Sequence, residues 1–427
     1  MGRRTRIVAV LGTMVVVVLL ALVLFYEPIE EGGCKLHRRK ADPESQLLGL
    51  ALQFITPLTD KPDRAQDVPA GFERPRYYEI KSGDRAVLIA ADFSRKLVRL
   101  CIDRDSDGIL SEEQCFTARP TKETPVSSRR QEVGPISLVS DKSSSGTDDE
   151  FYINCFREDV RGLLIPFPAF YRTGKLRLAN RTYRVALVDG DRDGLYSSIL
   201  SLPLDRSCPF PVSDIFAIDL NRNGKFEISL YERSEVMPLG NLVKVADEYY
   251  AINIAPDGRN LELSSTEPQF GTLVIESNDV EVELRLWSDA ADQHLSHGRQ
   301  WQLPAGEYKA IHAILTKVDA SGDLCMLSSN SSSAFTRLGP LEHFTIKPGK
   351  TTSIKIGPPF VVKANVEQTG SGTVSIGPVL VGCSGEEYQV GRKQGRQRPS
   401  APSFKVVDEK GTVLVADKFQ VASVGWA

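Results

Sequence analysis

From about Tyr77 onward the chain alternates apolar and polar residues over short runs, the pattern of half-buried strands. "YYEIKSGDRAVLIAADFSRKLVRLCID" (77–103) reads as three strands broken by turns. "GKLRLANRTYRVALVDGDRDGLY" (174–196) reads as strand, turn, strand and acidic loop, and "DIFAIDLNRNGKFEIS" (214–229) repeats the last two steps. "NLVKVADEYYAINIAPDGRNLELSS" adds two or three strands with a turn at Pro256–Gly258. "FGTLVIESNDVEVELRLWS", "WQLPAGEYKAIHAILTKVD", "TVSIGPVLVGC" and "SFKVVDEKGTVLVADKFQ" carry the alternation towards the C-terminus. No long segment of helical period occurs past residue 60.

Two earlier segments differ. Ile7–Tyr26 is an uncharged apolar run, about 20 residues and long enough to span a bilayer as a helix. Arg3, Arg4 and Arg6 precede it, while Glu27, Glu30 and Glu31 follow. That asymmetry predicts a single-pass membrane protein with the bulk of the chain extracytoplasmic. The alternative is a secreted chain released by signal cleavage; the run is long for a signal peptide and no small-x-small site follows it. "ESQLLGLALQFI" (44–55) could form one short helix in an otherwise polar stretch.

The expected organisation is mainly β, with several β-sandwich or β-hairpin modules in series behind one transmembrane helix. It divides into a cytoplasmic tail (1–6), an anchor (7–26), a stalk with a short helix (27–70), and β modules over 71–145, 151–266, 267–357 and 358–427. Composition agrees: Gly 33 and Pro 25 against Met 4 suit a turn-rich β chain. The 52 basic and 55 acidic residues leave a net charge of −3, which speaks against a nucleic-acid partner. Seven cysteines occur without a CxxC pair. Outside the cytoplasm they can form disulfides. Pairings 101–115, 155–208 and 325–383, each between neighbours along the chain, are one possibility, with others open.

The chemistry concentrates in three loops, each at the end of an apolar strand. Side-chain oxygens stand at positions 1, 3 and 5, with glycine at 6. Loop one has Asp103, Asp105, Asp107 and Gly108; loop two has Asp189, Asp191, Asp193 and Gly194; loop three has Asp219, Asn221, Asn223 and Gly224. Alternate residues of a tight loop can turn their oxygens to one centre, and the carbonyl of residue 7 (Ile109, Leu195 or Lys225) can add another. Calcium takes six to eight oxygens, whereas magnesium demands a stricter octahedron. The expected cofactor is therefore calcium. Its absence would leave acidic Asx turns, a reading strongest for loop three.

The first half of each loop resembles EF-hand calcium loops and the shorter loops of dockerin-like and thrombospondin-type repeats. The resemblance covers about a dozen residues per site. It departs at position 12, where Gln114, Leu200 or Leu230 replaces the bidentate glutamate, and in the flanks, which are strands. Substitute carboxylates could come from Glu112 or Glu113 in loop one, Asp205 in loop two, and Glu227 or Glu232 in loop three. The block Gly174–Ser264 resembles modules of uncharacterised bacterial envelope proteins, and that likeness implies no activity.

Other signals are weaker. His294 and His297 form an HxxH without a third ligand. The basic run Gly391–Arg398 reads as a solvated loop. No GxSxG elbow, P-loop or dinucleotide fingerprint is present. The expected role is structural or adhesive, with an envelope polymer or protein as partner. The alternatives are an envelope-polymer hydrolase with accessory β modules, or an accessory subunit of an envelope complex.

Overall fold

The computed structural model describes residues 31–41, 55, 58, 61–62, 71–82, 85–105, 107–111, 113–120, 130–137, 150–156, 162–202, 213–229, 234–278, 280–318, 324–330, 337–370, 373–393, 403–407 and 413–418. The expected anchor at 7–26 lies outside them, as does the expected helix at 44–55 apart from Ile55, which bridges Leu164. Among the described residues no helix is long and apolar enough to cross a membrane. The described residues are mainly β, arranged in seven sheets.

The first core lies between two four-stranded sheets. One runs Pro75–Ser82, Arg85–Asp92, Arg99–Ile102, Cys115–Thr117; the other runs Leu163–Pro168, Glu150–Phe156, Arg130–Ser137, Arg119–Pro120. Alternate residues such as Ile80, Val87, Ile89 and Leu100 meet Val133, Ile153 and Leu164. Arg130–Ser137 and Glu150–Phe156, on either side of the expected boundary between the modules 71–145 and 151–266, thus share one sheet and one core.

A second core lies between a five-stranded and a four-stranded sheet. The five-stranded order is Val236–Pro238, Ile215–Ile218, Arg181–Val188, Phe170–Leu178, His37–Lys40. The four-stranded order is Gly33–Lys35, Asn260–Thr266, Glu248–Ile254, Leu242–Val245. The region read as a stalk therefore begins as sheet. Gly33–Lys35 and His37–Lys40 pair into different sheets, and Leu36 between them is buried in the core.

The five-stranded sheet is covered on both faces. Val185, Leu187, Phe216 and Ile218 face Leu261, Leu263 and Val243 on one side. Ala186, Val188, Ile215 and Ala217 pack with Tyr152, Phe167, Trp287 and Ile311 on the other. This two-sided burial explains why "VALV" and "IFAI" are continuous apolar runs, as strands without a wet face must be. It also places the acids that end these strands deep in the protein.

The third core joins the strands Phe270–Glu276, Gln300–Pro304 and Thr351–Lys355 to an eight-stranded sheet. The pair Phe270–Glu276 with Thr351–Lys355 is parallel. Residues 361–393, expected in a separate module, supply three of the eight strands, because Glu387–Lys393 pairs with Leu324–Asn330.

Candidate metal centre

The three acidic loops fold alike, through short local hydrogen bonds. At position 1, Oδ2 accepts the glycine N–H of position 6: Gly108 to Asp103 at 3.1 Å, Gly194 to Asp189 at 3.0 Å, Gly224 to Asp219 at 2.9 Å. At position 3, Oδ1 accepts the N–H of position 5: Asp107 to Asp105 and Asp193 to Asp191 at 3.3 Å, Asn223 to Asn221 at 2.9 Å. At position 5, Oδ1 accepts the N–H of position 7: Ile109 to Asp107 and Leu195 to Asp193 at 2.7 Å, Lys225 to Asn223 at 2.8 Å. These are nested Asx turns. The glycine is required because φ at position 6 is 82–83° in all three loops, a left-handed conformation that a Cβ disfavours.

Each loop then receives an acid from the base of the returning antiparallel strand. Glu113 stands just before Cys115–Thr117, which pairs with the strand feeding loop one. Asp214 immediately precedes Ile215–Ile218, which pairs with the strand feeding loop two. Glu235 immediately precedes Val236–Pro238, which pairs with the strand feeding loop three. Asp214 Oδ1 accepts Gly190 N–H at 3.1 Å and Oδ2 accepts Ser198 N–H at 2.8 Å. Glu113 Oε1 accepts Arg104 N–H at 2.9 Å. Glu235 accepts the N–H groups of Asn221 at 2.9 Å and Glu227 at 3.2 Å.

Two triads result whose oxygens lie within 4.8 Å of one another: Asp103, Asp105 and Glu113, and Asp189, Asp191 and Asp214. Either could hold a metal ion. Asp107 and Asp193 lie outside the triads, exposed, with Oδ1 closing the turn. Of Ile109 and Leu195, the structure shows the N–H engaged in that same closure.

Loop two is the more demanding electrostatically. Asp189 is 4% exposed and Asp214 fully buried. Asp189 Oδ1 is buried and receives no hydrogen bond. Burial, then repulsion from Asp191, pushes the Asp189 carboxyl well above its ordinary range, against the Gly194 donation. Burial, then Asp189 and Asp191, does the same to Asp214. Asp193, although its side chain reaches solvent, is also raised, by partial desolvation and then by Asp191. Arg192, which itself stands at positive φ, lies near enough to offset part of this charge. A buried carboxylate oxygen without a donor costs free energy unless a proton or a cation meets it. In loop one Glu113 also pairs with Arg104 Nε at 3.1 Å, so part of its charge is answered from within the chain.

Loop three solves the same problem internally. Because Oδ1 of Asn221 and Asn223 closes the turns, each Nδ2 stands where an aspartate would present its second oxygen. Both amides donate to Glu227, at 3.1 and 3.2 Å. Arg222 and Lys225 lie in the loop, and Arg184 donates to the Gly224 carbonyl at 2.6 Å. Donors thus occupy the positions where a cation would need acceptors.

Sequence reading named Glu113 and Glu227 among the nearby acids but missed Asp214 and Glu235. Asp205, Glu112 and Glu232 lie outside the described residues. The signal that marks the missed pair is a serine–acid dipeptide directly before an apolar strand, Ser213–Asp214 and Ser234–Glu235, all four residues buried. In the HxxH, His294 Nε2 lies 3.0 Å from Glu283 on the adjacent strand, and the side chain of His297 lies outside the described residues. Comparison with known protein families, with curated proteins and with solved structures returns no match.

Proposed function

We propose that this chain is a membrane-anchored, extracytoplasmic β protein whose loops are fixed by calcium, and that its role is structural or adhesive. The observation that carries the cation reading is Asp189 Oδ1, buried without a donor beside the oxygens of Asp191 and Asp214. An all-oxygen, all-carboxylate set suits a hard divalent cation. Asp189, Asp191 and Asp214 would bind at loop two, and Asp103, Asp105 and Glu113 at loop one. Loop three serves as the cation-free version of the same turn. Calcium would neutralise the clustered carboxylates and tie each loop to its returning strand, a scaffold role.

Two buried acids outside the loops are held by backbone donors, as structural acids are. Asp92 is taken up by the N–H groups of Glu73 and Ser94, both at 2.8 Å. Glu386 is taken up by Gly357 N–H at 2.6 Å, Ser384 N–H at 3.0 Å and Tyr388 hydroxyl at 3.2 Å. Neither is poised as half of an acid–base pair. The test is calorimetric titration of the purified full chain with calcium and with magnesium, beside thermal melts in calcium or chelator. A saturable heat with calcium and a raised Tm are expected. No heat together with superimposable melts would overturn the reading.

A further inference from the structure

We propose that Cys101 and Cys115 form a disulfide that closes a ring around loop one, and that this bond and a cation in that loop reinforce one another. The second half rests on the cation reading above; the first half does not. The two cysteines are direct partners across antiparallel strands. Residues so placed have Cα atoms about 4.5–5.5 Å apart, inside the disulfide range. Their Sγ atoms are 2.6 Å apart, within about half an ångström of a bond of ~2.05 Å. No backbone movement is needed to join them.

The position of the pair gives the bond a purpose. Asp103 follows Cys101 by two residues, and Glu113 precedes Cys115 by two, so the ring contains all of loop one and its closing acid. Cys101 Sγ also rests against the carbonyl oxygens of Leu110 at 3.3 Å and Glu113 at 3.7 Å, where the loop turns back. Loops two and three lack cysteines, and their returning strands explain why. Ile215–Ile218 lies inside a five-stranded sheet, and Val236–Pro238 is buried at every residue. Cys115–Thr117 is a three-residue edge strand with Cys115 and Phe116 part-buried and Thr117 exposed. A covalent tie adds anchorage to the closing acid whose returning strand is the most exposed of the three.

The redox step balances with an external disulfide such as oxidised glutathione. Cys115, the part-exposed member, attacks one glutathione sulfur as thiolate; the S–S bond breaks and one glutathione thiolate leaves. Buried Cys101 then attacks Cys115 Sγ, forming the protein disulfide and releasing the second glutathione. The two cysteine protons end on the two glutathione thiols. Cation binding holds Asp103 and Glu113 together, hence the cysteines two residues away. By reciprocity the disulfide must favour the cation by the same factor.

The test uses the full chain equilibrated in glutathione buffers, then alkylated, digested and read by mass spectrometry. A peptide pair joined through Cys101 and Cys115, two hydrogens lighter than the thiols, is expected. Alkylated thiols at both positions under oxidising buffer would overturn the bond. Calcium in place of chelator should shift the disulfide-to-dithiol ratio by roughly fivefold or more towards the disulfide. An unchanged ratio overturns the coupling. Calcium titration of the D189N chain, in which loop two is silenced, separates the causes. Heat without a shifted ratio means that the cation binds loop one and the coupling alone fails. No heat means that the cation reading fails at loop one, while the peptide pair still decides the bond.

Discussion

Replacing Asp189 by Asn should stabilise the protein in chelator and abolish the calcium response of loop two. The amide oxygen can keep the Gly194 N–H bond now made by Oδ2. The amide nitrogen then takes the place of the donor-less Oδ1, facing Asp191 and Asp214 as Asn221 and Asn223 face Glu227 in loop three. The triad oxygens lie within 4.8 Å, where two ionised carboxylates repel by about 3.5 kcal/mol at an effective dielectric of about 20. Protonation relieves much of that in the unsubstituted chain, so the net gain should be about 1–2 kcal/mol. In a cooperative unit of about 150–250 residues that raises Tm by about 2–8 °C. The assay is scanning calorimetry of both chains in chelator and in calcium. A lower Tm for the variant in chelator, or a calcium shift as large as that of the unsubstituted chain, would refute the reasoning.

Three further outcomes follow from the same geometry. In chelator, the raised carboxyls of Asp189 and Asp214 keep protons that the unfolded chain gives up near pH 4, so their contribution to stability is full below that pH and lost as pH rises through the folded values. Melts at pH 5 and pH 8 should therefore show the Tm gap between D189N and the unsubstituted chain widening at the higher pH, and calcium should close it. Changing Asn221 and Asn223 together to Asp removes both amide donors to Glu227; Tm in chelator should fall by several degrees and a new calcium-dependent recovery should appear. At Gly190 a Cβ would stand 2.1 Å from the Ser213 carbonyl oxygen, a backbone atom with no room to yield. Gly190→Ala should cost about 1–3 kcal/mol and weaken calcium binding by prising Asp214 from its loop, measured by urea unfolding and calorimetry.

Much of each loop was legible locally. Oxygens at positions 1, 3 and 5 with glycine at 6 close through hydrogen bonds spanning two to five residues, so spacing alone specifies the turn. The strands were legible too, because alternation and turn residues are properties of neighbours. The uninterrupted runs "VALV" and "IFAI" were read as strands without showing that both faces are covered, since one covering layer comes from Tyr152, Phe167, Trp287 and Ile311, residues far away in the chain.

What the sequence determined by itself was therefore a mainly β chain with three like acidic turns at strand ends. Tertiary structure alone decided which turns become candidate metal centres. Asp214 reaches Asp189 because Ile215–Ile218 pairs with Arg181–Val188, a long-range register that no local spacing encodes. Glu235 likewise reaches the backbone of loop three because Val236–Pro238 pairs with Ile215–Ile218. Residues 31–41 join two sheets because Leu36 has a core to enter. Turns are fixed by bonds between near neighbours. Closing acids, burial and charge balance depend on which strands meet, and that is settled only when the whole chain packs.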